Sequence, residues 1–158
     1  MSQTAYSIDT PVAIPGMVAD AGMDKKIVTG SAQVAIAFGL YVCHNAGGGD
    51  SEITLPAAAG DVTNLGRGFA IADTSREYDA TGYVVDSAVP VMEEGTLWVS
   101  VEDAVDVEGP VFIRTAAGTL GSARSDADGG DATVLPGAKF ASSTTAAGLA
   151  KVTFNKRS

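Results

Sequence analysis

"TLWVSVED", residues 96–103, decides the fold class. Leu97, Val99 and Val101 fall on one side of an extended chain while Trp98, Ser100 and Glu102 fall on the other. That is the period-two alternation of a half-buried β-strand, not the 3.6-residue period of a helix. "KVTFN" at 151–155 repeats the pattern with Val152 and Phe154. Shorter strand candidates are "KIVTG" at 26–30, "SEITL" at 51–55, "RGFAIA" at 67–72, "GYVV" at 82–85, "VPVM" at 89–92 and "PVFIRT" at 110–115, with "TVL" and "AKFASS" flanking Pro136 and Gly137.

The apolar run "QVAIAFGLYVCH" at 33–44 competes between helix and strand. Gly39 and the triple glycine at 47–49 favour a buried strand with a bulge or close backbone contact at Gly39. Turn residues (Pro56, Gly60, Gly66, Gly82, Gly95, Gly109, Gly118) recur at the spacing of a strand-rich domain. "HNAGGGDSE" at 44–52 and "GSARSDADGGD" at 121–131 read as surface loops, and "SREYDATG" as one helical turn at most. The expectation is an all-β chain: a small β-sandwich or barrel-like domain over 17–158, preceded by an extended N-terminal arm over 1–16.

The chain has 158 residues, enough for one domain with a real core. Its 46% hydrophobic content leans on alanine and sits beside 19 glycines, so a thin core is expected. A formal charge of −9, with ten basic residues scattered between Lys25 and Arg157, argues against nucleic acid as a partner, because phosphate neutralisation needs a concentrated basic surface. The acidic balance disfavours anionic membranes, and no apolar run approaches the roughly 20 residues that span a bilayer. The first 24 residues hold no Lys or Arg and no uninterrupted apolar stretch, which is not the pattern of a secretory signal, so a cytoplasm is the expected site of synthesis. Cys43 is the one cysteine and excludes an internal disulfide.

Candidate chemistry is sparse. "DADGGD" at 126–131 begins like a calcium loop, but Gly137 stands where an EF-hand needs its bidentate Glu, so a solvated hairpin is the better reading. His44 is the one histidine, and Cys43 beside it points to the opposite face of a strand, which removes the simplest nucleophile and base pair. A lone His does not build a zinc site. "NAGGGDS" lacks the Lys of a P-loop. Glu93 with Glu94, and Glu102 with Asp103, are neighbours on extended chain and diverge, so a glycosidase pair would have to come from distant strands. No catalytic residue, cofactor or metal is expected. Trp98 and Tyr83 are aromatic anchors for a core or an interface, and the Trp98 face needs a cover if it points outward.

The arm raises a different question. Tyr6, Ile8, Val12, Ile14 and Met17 want burial, yet Pro11, Pro15 and Gly16 prevent a helix that could bury them. Side-chain burial alone does not offset the backbone entropy of ordering such a segment. The arm therefore needs backbone pairing with a sheet edge, on its own or another subunit, and is a candidate clasp. These five residues and Trp98 are the candidate interface.

Several pieces in order, "PGMVAD", "AIAFGLYV", "ITLPAAAG", "GRGFAIAD", "VPVMEEGTLWVSVEDAVDVEGPVFI" and "LPGAKFASSTTAAGLAKVTF", give the chain a resemblance to the structural cement, or decoration, proteins of tailed-bacteriophage capsids. In similar proteins an "f-G-l-V" strand, an "LP" before small residues, a "G-x-x-W-V" strand followed by "G-x-x-V", and a closing "PGAKF" recur in that order. The resemblance runs from about Pro15 to Phe154; "GSARSDADGGD", "TSREYD" and the first dozen residues lie outside it. It implies a non-enzymatic, virion-associated homo-oligomer, a trimer more than a dimer, on the exterior of the capsid, bridging copies of the phage major capsid protein. The rival readings are a carbohydrate- or surface-binding β-sandwich using Trp98, Tyr83 or Tyr78 as a stacking platform, and a hydrolase built on distant carboxylates.

Overall fold

The computed structural model describes residues 13–19, 25–73, 75 and 81–157. Its elements are β1 (Lys26–Ala32), β2 (Ile36–Ala37), β3 (Tyr41–His44), β4 (Glu52–Thr54), α1 (Ala59–Thr63), β5 (Gly66–Ala70), β6 (Gly82–Tyr83), β7 (Ala88–Val101), β8 (Pro110–Arg114), β9 (Ala123–Arg124), β10 (Ala132–Phe140) and β11 (Gly148–Asn155), with a 3-10 turn at Asp128–Gly130. The expected all-β class holds.

β7 organises the whole. "VPVM" and "TLWVSVED" are one strand of 14 residues, and Gly95, expected to turn the chain, lies inside it. What happens there is a β-bulge: Lys26 of β1 opposes Glu94 and Ile27 opposes Met92, so Glu93 is the extra residue. Gly95 has a φ of +139°, a conformation that favours glycine. Before the bulge, Val89 and Val91 enter one apolar cluster; after it, Leu97, Val99 and Val101 enter another.

Two closed rings result. β1, β4, β3, β5 and β7 pair in succession and return to β1; β7, β11, β10, β8 and β9 do the same and return to β7. One thin core was expected; two closed cores share a strand instead. Ile36, Phe38, Val42, Ile53 and Tyr83 fill the first, and Leu97, Ile113, Leu135, Phe140 and Val152 the second. Tyr41 from β3 and Phe69 from β5, 5.2 Å apart between ring centroids, turn into the second cluster and meet Phe154 of β11 edge to face at 6.1 and 5.7 Å.

The run 33–44 is not a single strand. It breaks into β2 and β3 around Gly39, whose φ of +79° favours glycine. The close backbone contact expected there is present: a Cβ on Gly39 would lie 2.8 Å from Gly16 N. "AGDVT", Ala59–Thr63, forms the short helix α1, which no strand pattern announces. The Asp61 carboxylate caps it by accepting the Ala57 and Ala58 N–H groups at 2.9 and 3.0 Å. "SREYDATG" falls mostly outside the described residues.

Candidate functional site

Residues 13–19 lie along the edge of β7 opposite β11. Gly16 N–H donates to Trp98 O at 2.7 Å, Trp98 N–H to Met17 O at 2.8 Å and Ala19 N–H to Thr96 O at 2.9 Å, and Val18 bridges Leu97 in antiparallel sense. Ala72 N–H adds a bond to Gly16 O at 2.8 Å. Gly16 is required twice over: its φ is +81°, and a Cβ would sit 2.7 Å from Ala72 N and 2.8 Å from Gly39 N.

Ala13 is buried, Ile14 half-buried and Met17 45% exposed. Ile14 and Pro15 line a cavity of about 410 Å³ with Phe38, Leu40, Ser100 and Thr119. Trp98 is half-buried on the outer face, and the Lys151 ammonium stands 5.1 Å from its ring centroid, the cover that an outward tryptophan needs. Tyr83 belongs to the core: it is 2% exposed, donates its hydroxyl to Ile71 O and packs edge-on against Phe38. It offers no stacking platform. Tyr6, Ile8, Val12 and Tyr78 lie outside the described residues. The structure thus brings Ile14, Met17 and Trp98 to one seam.

Two ionic clusters flank the rings. At the bulge, Glu93 is 4% exposed and receives Lys26 at 2.6 Å, Lys156 at 3.4 Å and Arg67 Nε at 3.3 Å. Burial alone would raise its carboxyl; the Lys26 and Lys156 ammonium groups overcome that and hold it below the usual carboxylate range. Arg67 Nη1 lies 2.8 Å from His44 Nε2. A guanidinium has no acceptor, so Nε2 accepts and the imidazole is neutral. Burial first, then Arg67 and Lys156, depress the His44 pKa below its usual 6.5.

A depressed folded pKa means the unfolded chain binds the proton more readily, so this contribution to stability is complete above 6.5 and is lost as the pH falls toward the folded value. The thermal midpoint should fall between about pH 7.5 and about pH 5, with His44→Gln flattening that part of the curve. An unchanged slope in the variant would remove His44 from the account.

The second cluster occupies "GSARSDADGGD". Arg114, 7% exposed, makes two 2.8 Å bonds from Nε to the Glu102 carboxylate and one of 2.7 Å to Asp128, and reaches the carbonyls of Ala116 and Ala117. Arg124 joins Glu102, Asp103, Asp126 and Asp128. The Arg114 hydrogen bond holds the Asp128 carboxyl low. Asp126 and Asp128 of "DADGGD" are therefore engaged by guanidinium groups, and no described group of His, Cys, Asp and Glu is arranged to hold a metal ion. Glu93 and Glu94 diverge as expected, the second toward Arg157 at 3.6 Å. Burial first, then Asp61, raises the Cys43 thiol to about 12, so it is unreactive as a nucleophile.

A family model described as "Structural cement protein (E217 gp24/Pam3 gp6)" matches residues 1–155. The chain belongs to this family of phage structural cement proteins. The match includes the first dozen residues. Among solved structures, a chain from "The capsid of Myoviridae Phage XM1" superposes with a TM-score of 0.77 at 21% identity, covering 98% of this chain and 98% of that one; at that identity it establishes the fold. No curated protein matches.

For a cement protein the surface carries the function, and sequence reasoning missed parts of it. The Arg114 and Arg124 scaffold was unseen because the two residues lie on separate paired strands, β8 and β9. Val34, Val84 and Val85, with 37%, 68% and 50% exposure, flank the β2–β6 pairing in sequence. The signal for that patch is the run of three apolar residues, Tyr83 to Val85, of which one is buried.

Proposed function

We propose that this cement protein sits on the exterior of a phage capsid, after assembly in the host bacterial cytoplasm, and bridges neighbouring major capsid proteins as a non-enzymatic homo-oligomer, a trimer in preference to a dimer. The observation that carries the reading is family membership over residues 1–155, arm included. The seam of residues 13–19 on β7 supports it, since it holds the base of the arm that carries Tyr6, Ile8 and Val12. Together with Ile14, Met17 and Trp98 these make the contact surface. A symmetric oligomer touching several capsid subunits gains effective concentration, so contacts of modest size add up to lasting attachment.

The test compares the full chain with a version lacking residues 2–16 on expanded capsids stripped of cement protein. Deletion should weaken retention by about tenfold or more, as expected when one of several linked contacts is lost. Equal retention and equal oligomer size in the two proteins would defeat the arm assignment.

A further inference from the structure

Closing two rings hides most sheet edges, but β1 keeps one. Its even-numbered residues turn their backbone groups toward β7: Ala32 N–H donates to Ser87 O at 3.0 Å, and the register continues through Gly30 opposite Val89 and Val28 opposite Val91. The odd-numbered ones face the other way, since Ser31 N–H reaches Ser51 O at 2.7 Å and Gln33 N–H reaches Ile53 O at 2.9 Å, both toward β4. β4 begins at Glu52, opposite Ser31. Ile27 and Thr29 therefore point N–H and C=O past its end, where no described residue pairs with them. Pro90, across from Thr29, gives its carbonyl to Ile71 instead. Both side chains are exposed, Ile27 at 45%.

An unpaired edge is a template for another strand. Residues 1–12 precede the first described residue, and within them Thr4, Tyr6, Ile8 and Thr10 alternate with Ala5, Ser7 and Asp9 before Pro11. β-branched and aromatic residues at alternate positions are what an added strand requires. This segment holds one charged side chain, Asp9, in a chain of net −9, so it is the stretch that two copies can bring together with least repulsion. Lys25 stands exposed where the edge begins.

We propose that the β1 edge at Ile27 and Thr29 receives residues 4–10 of a second copy as an added strand. The proposal rests on the homo-oligomer reading above and deepens it by naming the contact. The same molecule's arm is poorly placed. Residues 13–19 and β1 both run antiparallel to β7, so traced backward from Ala19 opposite Thr96 to Gly16 opposite Trp98 the arm leads away from β1. It would have to reverse within twelve residues that span at most about 40 Å when fully extended. A second copy faces no such reversal. Each copy donates one arm and offers one edge, a head-to-tail contact that closes into a ring.

The test uses two variants of the full protein. Thr29→Pro removes an N–H that the intramolecular ladder does not use, at an edge position where proline is tolerated. A version lacking residues 2–12 removes the donor. By light scattering the wild type should associate, each variant alone should associate at least about tenfold more weakly, and an equimolar mixture should recover a 1:1 pair, intact arm to intact edge. Ile27→Lys, which leaves every ladder bond in place, should behave like Thr29→Pro and guards against a folding artefact. Wild-type association by Thr29→Pro and Ile27→Lys, or a mixture that fails to pair, overturns the proposal. So does a wild type that stays monomeric at all concentrations; retention on stripped capsids, measured on the same samples, then shows whether the capsid role stands without it.

Discussion

Phe154→Ala is expected to cost about 3–5 kcal/mol and to lower the thermal midpoint by roughly 10 °C. Phe154 is 2% exposed and meets Tyr41 and Phe69 at centroid distances of 6.1 and 5.7 Å, both near-perpendicular. The substitution removes most of a ring from a site walled by strands of both barrels, where neighbours on closed sheets have little freedom to collapse into the gap. Its loss also weakens the join between the rings, since Tyr41 and Phe69 belong to strands of the first while their rings lie in the core of the second. Chemical denaturation of the variant beside Val84→Ala checks this. Val84 is 68% exposed and should change stability by no more than about 0.5 kcal/mol. A Phe154→Ala cost below about 1 kcal/mol would mean that the aromatic triad does not bind the two cores.

What could be read in the sequence was local. Local pattern placed β1, β5 and β8 within a residue or two and β11 within three, because β1, β8 and β11 each keep one face more buried than the other and β5 is a short apolar run. Alternation also fails at a definite place. The bulge at Glu93 sends Val91 and Leu97, both odd-numbered, into different cores, and a period-two pattern carries no mark of that exchange. Closure of the two rings depends on pairings between β1 and β7 and between β7 and β9, which only the three-dimensional register reveals. α1 was hidden because a single buried residue, Val62, gives no helical period.

The candidate site divides the same way. That Trp98 faces outward follows from its neighbours, whereas its cover, Lys151, comes from the strand paired beside it. That the arm requires backbone pairing follows from its composition. That Trp98, Thr96 and Ala72 supply the partners could not be read from sequence.

Gly16→Val should detach the arm without unfolding the barrels. The φ of +81° costs a β-branched residue about 1–2 kcal/mol or more, and the new Cβ would press on the backbone of Ala72, Gly39 and Ala70 at 2.7 to 2.9 Å, where no flexible side chain can yield. Residues 13–19 then peel away and forfeit the bonds to Trp98, Thr96 and Ala72, each worth about 0.5–1.5 kcal/mol. The loss is bounded by what docking contributes, so about 3–5 kcal/mol is expected, with faster hydrogen exchange at the Trp98 and Ala72 amides and slow exchange retained at Val99 and Val152. Because the seam holds the base of the arm that carries Tyr6, Ile8 and Val12, the variant should also be retained on capsids as poorly as the chain lacking residues 2–16, although residues 1–15 are unchanged. Normal retention combined with fast exchange at Trp98 would show that the arm grips its partner without being anchored on β7. Slow exchange at Trp98 would show that the barrel accommodates the valine and that the close approach of Gly16 to Gly39 does not hold the arm.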